Sequence, residues 1–229
     1  MKSLAELLAS HGSILLLDAA STRVQVGVLR AGQPAIWRAG GADAGTELFR
    51  LAEAALREAG LAVGEVGAWV YCAGPGSMLG VRTAAMALRT WQALAERPVY
   101  QYLSLALLAH DLAHSPQHRG TAVIADARRD SWHVVTIAAD GAIGPLQRVP
   151  AAQLAATTQA LAQPTAFRVW SQPPRAARAC DYDLAALVAR NATAPLFSPV
   201  ALPDAFQHEA PEYKKWSATV HSAASAPRP

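Results

Sequence analysis

Residues 72–82, CAGPGSMLGVR, run from an apolar stretch into a helical one and carry glycines at 74, 76 and 80. Gly74, Gly76, Ser77 and Gly80 have the spacing of a loop that presents backbone N–H groups to an anion at a helix N-terminus. The same residues serve equally to turn the chain sharply against a neighbouring backbone, with Ser77 capping the helix. Arg82 is expected in the first helical turn, where a cation opposes the helix dipole and calls for a carboxylate, a phosphate or a partner beside it.

A phosphoryl-transfer site needs more than this loop, because positioning and charge neutralisation carry most of that chemistry. Asp18 ends the apolar run SILLLDA, where it would orient a metal ion or water. Its structural reading is a strand-end Asp accepting from the turn amides of Ser21 and Thr22, and with no second carboxylate nearby this reading is favoured. A second phosphate loop would follow residues 121–127, but ADARRDSW offers Asp126 with bulky Arg128 and Arg129 and no glycine. A late adenine pocket is missing its usual material, since the last glycine in the chain is Gly144. Backbone cannot come close to a purine without small residues, so tight ATP binding and catalysis by this chain are not expected.

Metal and hydrolase readings fare no better. His110, His114 and His118 are spaced so that the first two share a helical face, but a helix C-terminus favours histidines without any metal. No nucleophile elbow supports Ser–His–Asp hydrolysis. Neither cofactor nor metal is therefore expected.

The elements that would position these residues follow from periodicity. Ser3 and Glu6 match a capping box opening a short helix. SILLLDA, VQVGVL and AIWRAG read as three antiparallel strands, the first apolar on both faces as a central strand. A helix over 46–59 stops at Gly60, AWVYCAG forms a buried strand, and a long helix runs over 81–97. VYQYLS is a strand and residues 105–114 a helix. After the polar break SPQHRG, TAVIADA–RRD–SWHVV repeats the opening pattern of strand, Asp, turn and strand, so two related halves are expected. Weaker signals give a helix near 151–162, a strand at 166–171 and a helix at 183–191. The division expected is a first lobe at 1–114, a second at 115–217 and a flexible tail at 218–229.

The helices at 46–59 and 81–97 carry Ala and Leu beyond one stripe. Leu48, Leu51, Ala52 and Ala55 on the first, with Ala84, Ala87, Leu88 and Trp91 on the second, suit either a domain core or a partner's helices. Bulk composition leans the same way: 52% of the 229 residues are hydrophobic and only 16% charged, low for a fully wetted surface. The net charge of +3 is scattered, which argues against a dedicated nucleic-acid binder. Two cysteines in unlike contexts, no signal peptide and no transmembrane stretch point to the cytoplasm, away from membranes.

ILLLDAAST, YCAGPGSMLGVRTAAMAL, VIADARRDSWHVV and EAPEYKKWS fall in the order and spacing of one family. The chain resembles the TsaB (YeaZ) family over residues 14 to 217. The resemblance implies an α/β, two-lobed actin-like ATPase fold of ribonuclease H-like type. It also implies a non-catalytic partner subunit of the bacterial complex that makes threonylcarbamoyladenosine at position 37 of tRNA. Its partners would be a catalytic TsaD-type paralogue and a TsaE-type ATPase, with homodimer formation when alone and tRNA met through the complex. The histidine pair that the catalytic paralogue carries before its glycine loop has no counterpart in the helix at 46–59. Ala19–Ala20 and Met78–Leu79 depart from the family pattern. Two other classes stay open: a stand-alone ATP-dependent transferase or glycoprotease-like metalloenzyme, and a module touching tRNA directly through its arginines.

Overall fold

The computed structural model describes residues 1–41 and 43–207. The terminal EAPEYKKWS segment and the tail expected after it lie outside the described residues. Helix α1 (Leu4–His11) opens on the expected capping box, with Ser3 N–H donating to the Glu6 carboxylate at 2.6 Å and Glu6 N–H donating back to Ser3 Oγ. A meander follows: β1 (Ser13–Asp18), β2 (Val24–Arg30) and β3 (Ile36–Gly40), each antiparallel to the last. Then come α2 (Ala44–Ala59), β4 (Ala68–Cys72), α3 (Met78–Leu94), β5 (Val99–Tyr102) and α4 (Ser104–Ala113). Strands β4 and β5 pair in parallel beside β1, as strands joined by crossover helices do.

The second half repeats the scheme. Strands β6 (Thr121–Asp126), β7 (Ser131–Ile137) and β8 (Gln147–Pro150) form an antiparallel meander. After α5 (Ala151–Ala156), β9 (Ala160–Pro164) and β10 (Ala177–Cys180) add in parallel on the far side of β6. The chain then passes through α6 (Leu184–Arg190) and returns to the first sheet as β11 (Ser198–Pro199), antiparallel to β5. The sheet orders are β11-β5-β4-β1-β2-β3 and β10-β9-β6-β7-β8, so each half places an Asp-ended strand at the centre of the same 3-2-1-4-5 arrangement. This is the two-lobed actin-like fold of ribonuclease H-like type.

Three elements named in the sequence reading shift in the structure. The helix expected near 151–162 ends at Ala156, and the strand expected at 166–171 lies earlier, at Ala160–Pro164. Alternating LAQP suits a strand whose Pro comes at its end, where a missing N–H costs no ladder bond. Residues 166–171 cannot continue it: Ala166 has φ 61°, and the amides of Trp170 and Ser171 donate to the Asp126 carboxylate instead of a ladder. Helix α3 also starts three residues earlier than expected, which moves Arg82 out of the first turn and weakens its conflict with the dipole.

Strand parity decides what each sheet face meets. Leu15 and Leu17 of β1, with Val26, Val28, Trp69 and Tyr71, pack under α2 and α3. Ile14 and Leu16 point the other way, into a core shared with α1, α4, α6 and the Val123, Ala125 and Val135 side chains of the second half. Each fully buried leucine contributes about 2 kcal/mol relative to exposure. Asp18 has the parity of Leu16, so the backbone aims its carboxylate into the core between the halves.

Candidate functional site

Three parallel strands, β1, β4 and β5, end side by side on Asp18, Cys72 and Tyr102. The carboxyl ends of parallel strands are where open α/β sheets ordinarily receive ligands. Here that position is filled. Asp18 is wholly buried. Its Oδ1 accepts from Ala20 N–H at 2.8 Å, and its Oδ2 accepts from the hydroxyls of Tyr102 at 2.5 Å and Tyr182 at 2.8 Å. The turn donor is thus Ala20, in place of the Ser21 and Thr22 amides expected; Thr22 N–H goes to Ala166 O.

Tyr182 comes from the second half, just before α6, and its backbone O accepts from Gln25 of β2 while Gln25 Oε1 accepts from Leu184 N–H. The result is a latch across the two halves. Burial pushes Asp18 above the usual carboxylate range, with the Tyr102, Ala20 and Tyr182 donors holding it down in part. Burial also pushes the Tyr102 and Tyr182 hydroxyls and the Cys72 thiol well up, so all three are neutral at ordinary pH. The neighbouring Tyr71 hydroxyl is pushed up to about 12 by burial and donates to Asp204 O at 2.8 Å.

The glycine loop packs directly on the turn after Asp18. Ser77 N–H donates to Ala20 O at 2.6 Å, and Ser77 Oγ caps α3 by accepting from Gly80 N–H. A Cβ at Gly76 would lie 2.3 Å from Ala20 O, and one at Gly80 would lie 2.0 Å from Ala19 O. These glycines therefore serve close approach of two backbones. Ser104 fastens the loop from the other side, its N–H and hydroxyl donating to Gly74 O and Pro75 O. Gly76, Ser77 and Gly80 meet the turn after Asp18, but the Ser77 and Gly80 amides are already bonded within the protein. The crevice left beside the loop has a volume of about 40 Å³ and is bounded by Met78, His133, Ala205 and Phe206. Sites for drug-sized ligands run from about 300 Å³. Arg82 is exposed, and no carboxylate pairs with it among the described residues.

Asp126, the counterpart of Asp18 in the second half, is likewise committed. It accepts from Arg128 N–H at 2.6 Å and from the Trp170 and Ser171 amides at 2.8 and 2.6 Å. His110 is half-buried, His114 exposed and His118 buried in a turn beyond α4. Burial, helped by the charge of His114, lowers the His110 pKa. Among the described residues no group of three or more His, Cys, Asp or Glu is placed to hold a metal ion, and no helix is long and apolar enough to cross a membrane.

The interface residues expected on α2 and α3 need correction. Leu48, Leu51, Ala52, Ala55, Ala84, Ala87 and Leu88 are all buried against this chain's own sheet, so a partner cannot touch them. Trp91 alone of the eight is partly open, edge-on to Phe49 and tilted against Trp69. What α3 does expose is a stripe spaced at helical intervals: Leu79 (75% exposed), Met86 (54%), Thr90 and Leu94 (79%), with the half-buried Thr83 among them. Both threonine hydroxyls bond back into the helix, Thr83 to Leu79 O and Thr90 to Met86 O at 2.9 Å, so neither needs an outside partner. Beside the stripe, Phe49, Leu56, Leu61, Val63 and Trp91 line an open apolar groove of about 330 Å³. Apolar residues occur all round α3, so periodicity alone does not say that Leu79, Met86 and Leu94 lie on the outward face.

The family model for "TsaD: tRNA N6-adenosine threonylcarbamoyltransferase" matches residues 45–168, from α2 to the loop after β9 and more than half of the chain. The chain belongs to this family. Among curated proteins none matches the sequence. Two solved structures share the fold. YeaZ from Pseudomonas aeruginosa is 23% identical with a TM-score of 0.59, over 79% of this chain and 90% of its own. An uncharacterized protein described as similar to peptidase YeaZ from Pseudomonas aeruginosa is 24% identical with a TM-score of 0.57, over 83% and 99%. The sequence resemblance to TsaB (YeaZ) is thus met by a TsaD-family match and a YeaZ fold.

Proposed function

We propose that this chain is a non-catalytic, cytoplasmic subunit supporting formation of N6-threonylcarbamoyladenosine at position 37 of tRNA, paired with a catalytic TsaD-type paralogue. In this reading residues 1–114 form the pairing lobe and 115–217 the second lobe. A TsaE-type ATPase joins the pair, tRNA is met through the complex, and the isolated chain self-associates through the same face.

The observation that carries the proposal is the state of Asp18. A carboxylate that handles metal or phosphate must reach it, yet this one is buried with both oxygens bonded to Ala20, Tyr102 and Tyr182. The TsaD-family match supports the tRNA-modifying context, and the outward stripe on α3 supports a partner-binding role. Its apolar side chains sit on a helix whose inner face is already used, so a second protein is the natural cover.

Size-exclusion chromatography of this chain with its TsaD-type paralogue tests the pairing. Co-elution is expected for the native chain and for Asp18→Asn. Met86→Glu combined with Leu94→Glu is expected to weaken the complex about a hundredfold or more, because buried carboxylates would lack partners. A complex indifferent to the two glutamates would refute this interface.

A further inference from the structure

Three loops meet where the carboxyl ends of β1 and β6 approach one another. The loop at 165–171 bridges the other two: Ala166 O accepts from Thr22 N–H at 2.6 Å, and the Trp170 and Ser171 amides are clamped by Asp126. Together the loops 19–23, 127–130 and 165–171 carry Arg23, Arg128, Arg129 and Arg168, all exposed, against a single exposed carboxylate, Asp130. None of the four arginines forms an ion pair among the described residues. In their midst Trp170 is 49% exposed and Val169 51% exposed. The Arg128 guanidinium carbon lies over the indole, 4.0 Å from its centroid.

This arrangement is held. Arg128, Arg129 and Asp130 have φ of 61°, 49° and 53°, a run of left-handed residues without a glycine. Ser131 Oγ fixes the turn by donating to the Arg128 and Arg129 carbonyls, and Ala151 N–H donates to Asp130 O at 2.7 Å. Backbone kept in so costly a conformation, aiming two arginines beside a presented tryptophan, marks a surface shaped for something.

We infer that Trp170 and the arginines around it form a binding platform for single-stranded RNA. An indole and a planar guanidinium offer stacking faces to unpaired bases, and the remaining arginines match the phosphates that follow them. A duplex would hide its bases from the indole. An acidic peptide would satisfy the charges and leave the ring uncovered. The platform lies on this chain's own surface, so it stands or falls apart from the subunit reading above.

The test is fluorescence anisotropy of a labelled oligouridylate, about a dozen nucleotides long, titrated with the purified full chain at several salt concentrations. Binding should weaken as salt rises. Trp170→Ala should weaken it about tenfold, whereas Trp170→Phe, which keeps a stacking ring, should stay within about threefold of native. Arg129→Ala with Arg168→Ala should flatten the logarithmic salt slope by about 1.4, the value for two phosphate contacts on a single strand. No binding by the native chain overturns the inference, as does Trp170→Ala binding like native. So does equal affinity for a duplex of the same length or for polyglutamate. Should Trp170→Ala melt early, the Phe variant and the arginine pair decide the question.

Discussion

Asp18 has the position of a reactive carboxylate and the surroundings of a structural one. Its three donors come from the turn that follows it, from β5 and from the residue ahead of the α6 cap, so removing it strands two buried tyrosine hydroxyls at once. Asp18→Ala should therefore destabilise the protein by about 2–5 kcal/mol, read from chemical denaturation. A carboxylate kept for chemistry alone would give a nearly silent stability result. The pH dependence has a definite sign. Burial raises the folded value of Asp18 above the unfolded one, so its contribution is full below the ordinary carboxylate range and is lost as pH rises through the folded value. Thermal melts across that window should show the native chain losing stability relative to Asp18→Asn as pH increases, and parallel curves would contradict the burial argument. The sequence marks Asp18 as the Asp that ends the first strand, but not its partners. Tyr102 lies 84 residues away and Tyr182 164, and no local pattern reports a hydroxyl meeting a carboxylate over such separations.

Elements with strong local codes were readable. The capping box of α1, the three-strand meander, and Gly60 ending α2 in a left-handed conformation all rest on contacts a few residues apart. The second half was harder because β8, β10 and β11 are short and mostly exposed, with no alternation to detect. The glycine loop was legible as a turn; that it packs on Ala19–Ala20 required coordinates. Gly80→Ala forces a Cβ into a carbonyl at 2.0 Å and should cost about 2–4 kcal/mol while shifting the start of α3. A denaturation midpoint unchanged by that substitution would show the loop to be looser than described. Met86→Glu and Leu94→Glu act on the outer face of the same helix. They should change the stability of the isolated chain by less than about 0.5 kcal/mol each, in contrast to Leu48→Glu, which would place a charge in the core.

At the scale of the molecule, the two halves share one strand plan, and each commits the Asp at the end of its central strand to internal bonds. The returning chain adds a strap over the first half. Arg89 donates to Pro203 O at 2.6 Å and pairs with Asp204, while Phe206 N–H donates to Ala73 O beside the glycine loop. The latch ties the two halves together, the strap lies against α3 and the glycine loop, and the α3 stripe is left facing out. The decisive measurement is the rate of tRNA threonylcarbamoylation by the TsaD-type paralogue, reconstituted with native chain, Asp18→Asn or the Met86→Glu/Leu94→Glu pair. The account predicts that the chain is required, that Asp18→Asn supports modification within about threefold of native, and that the glutamate pair lowers it at least about tenfold at limiting concentration. Loss of activity with Asp18→Asn in a folded, fully assembled complex, or full activity with the glutamate pair, would contradict it.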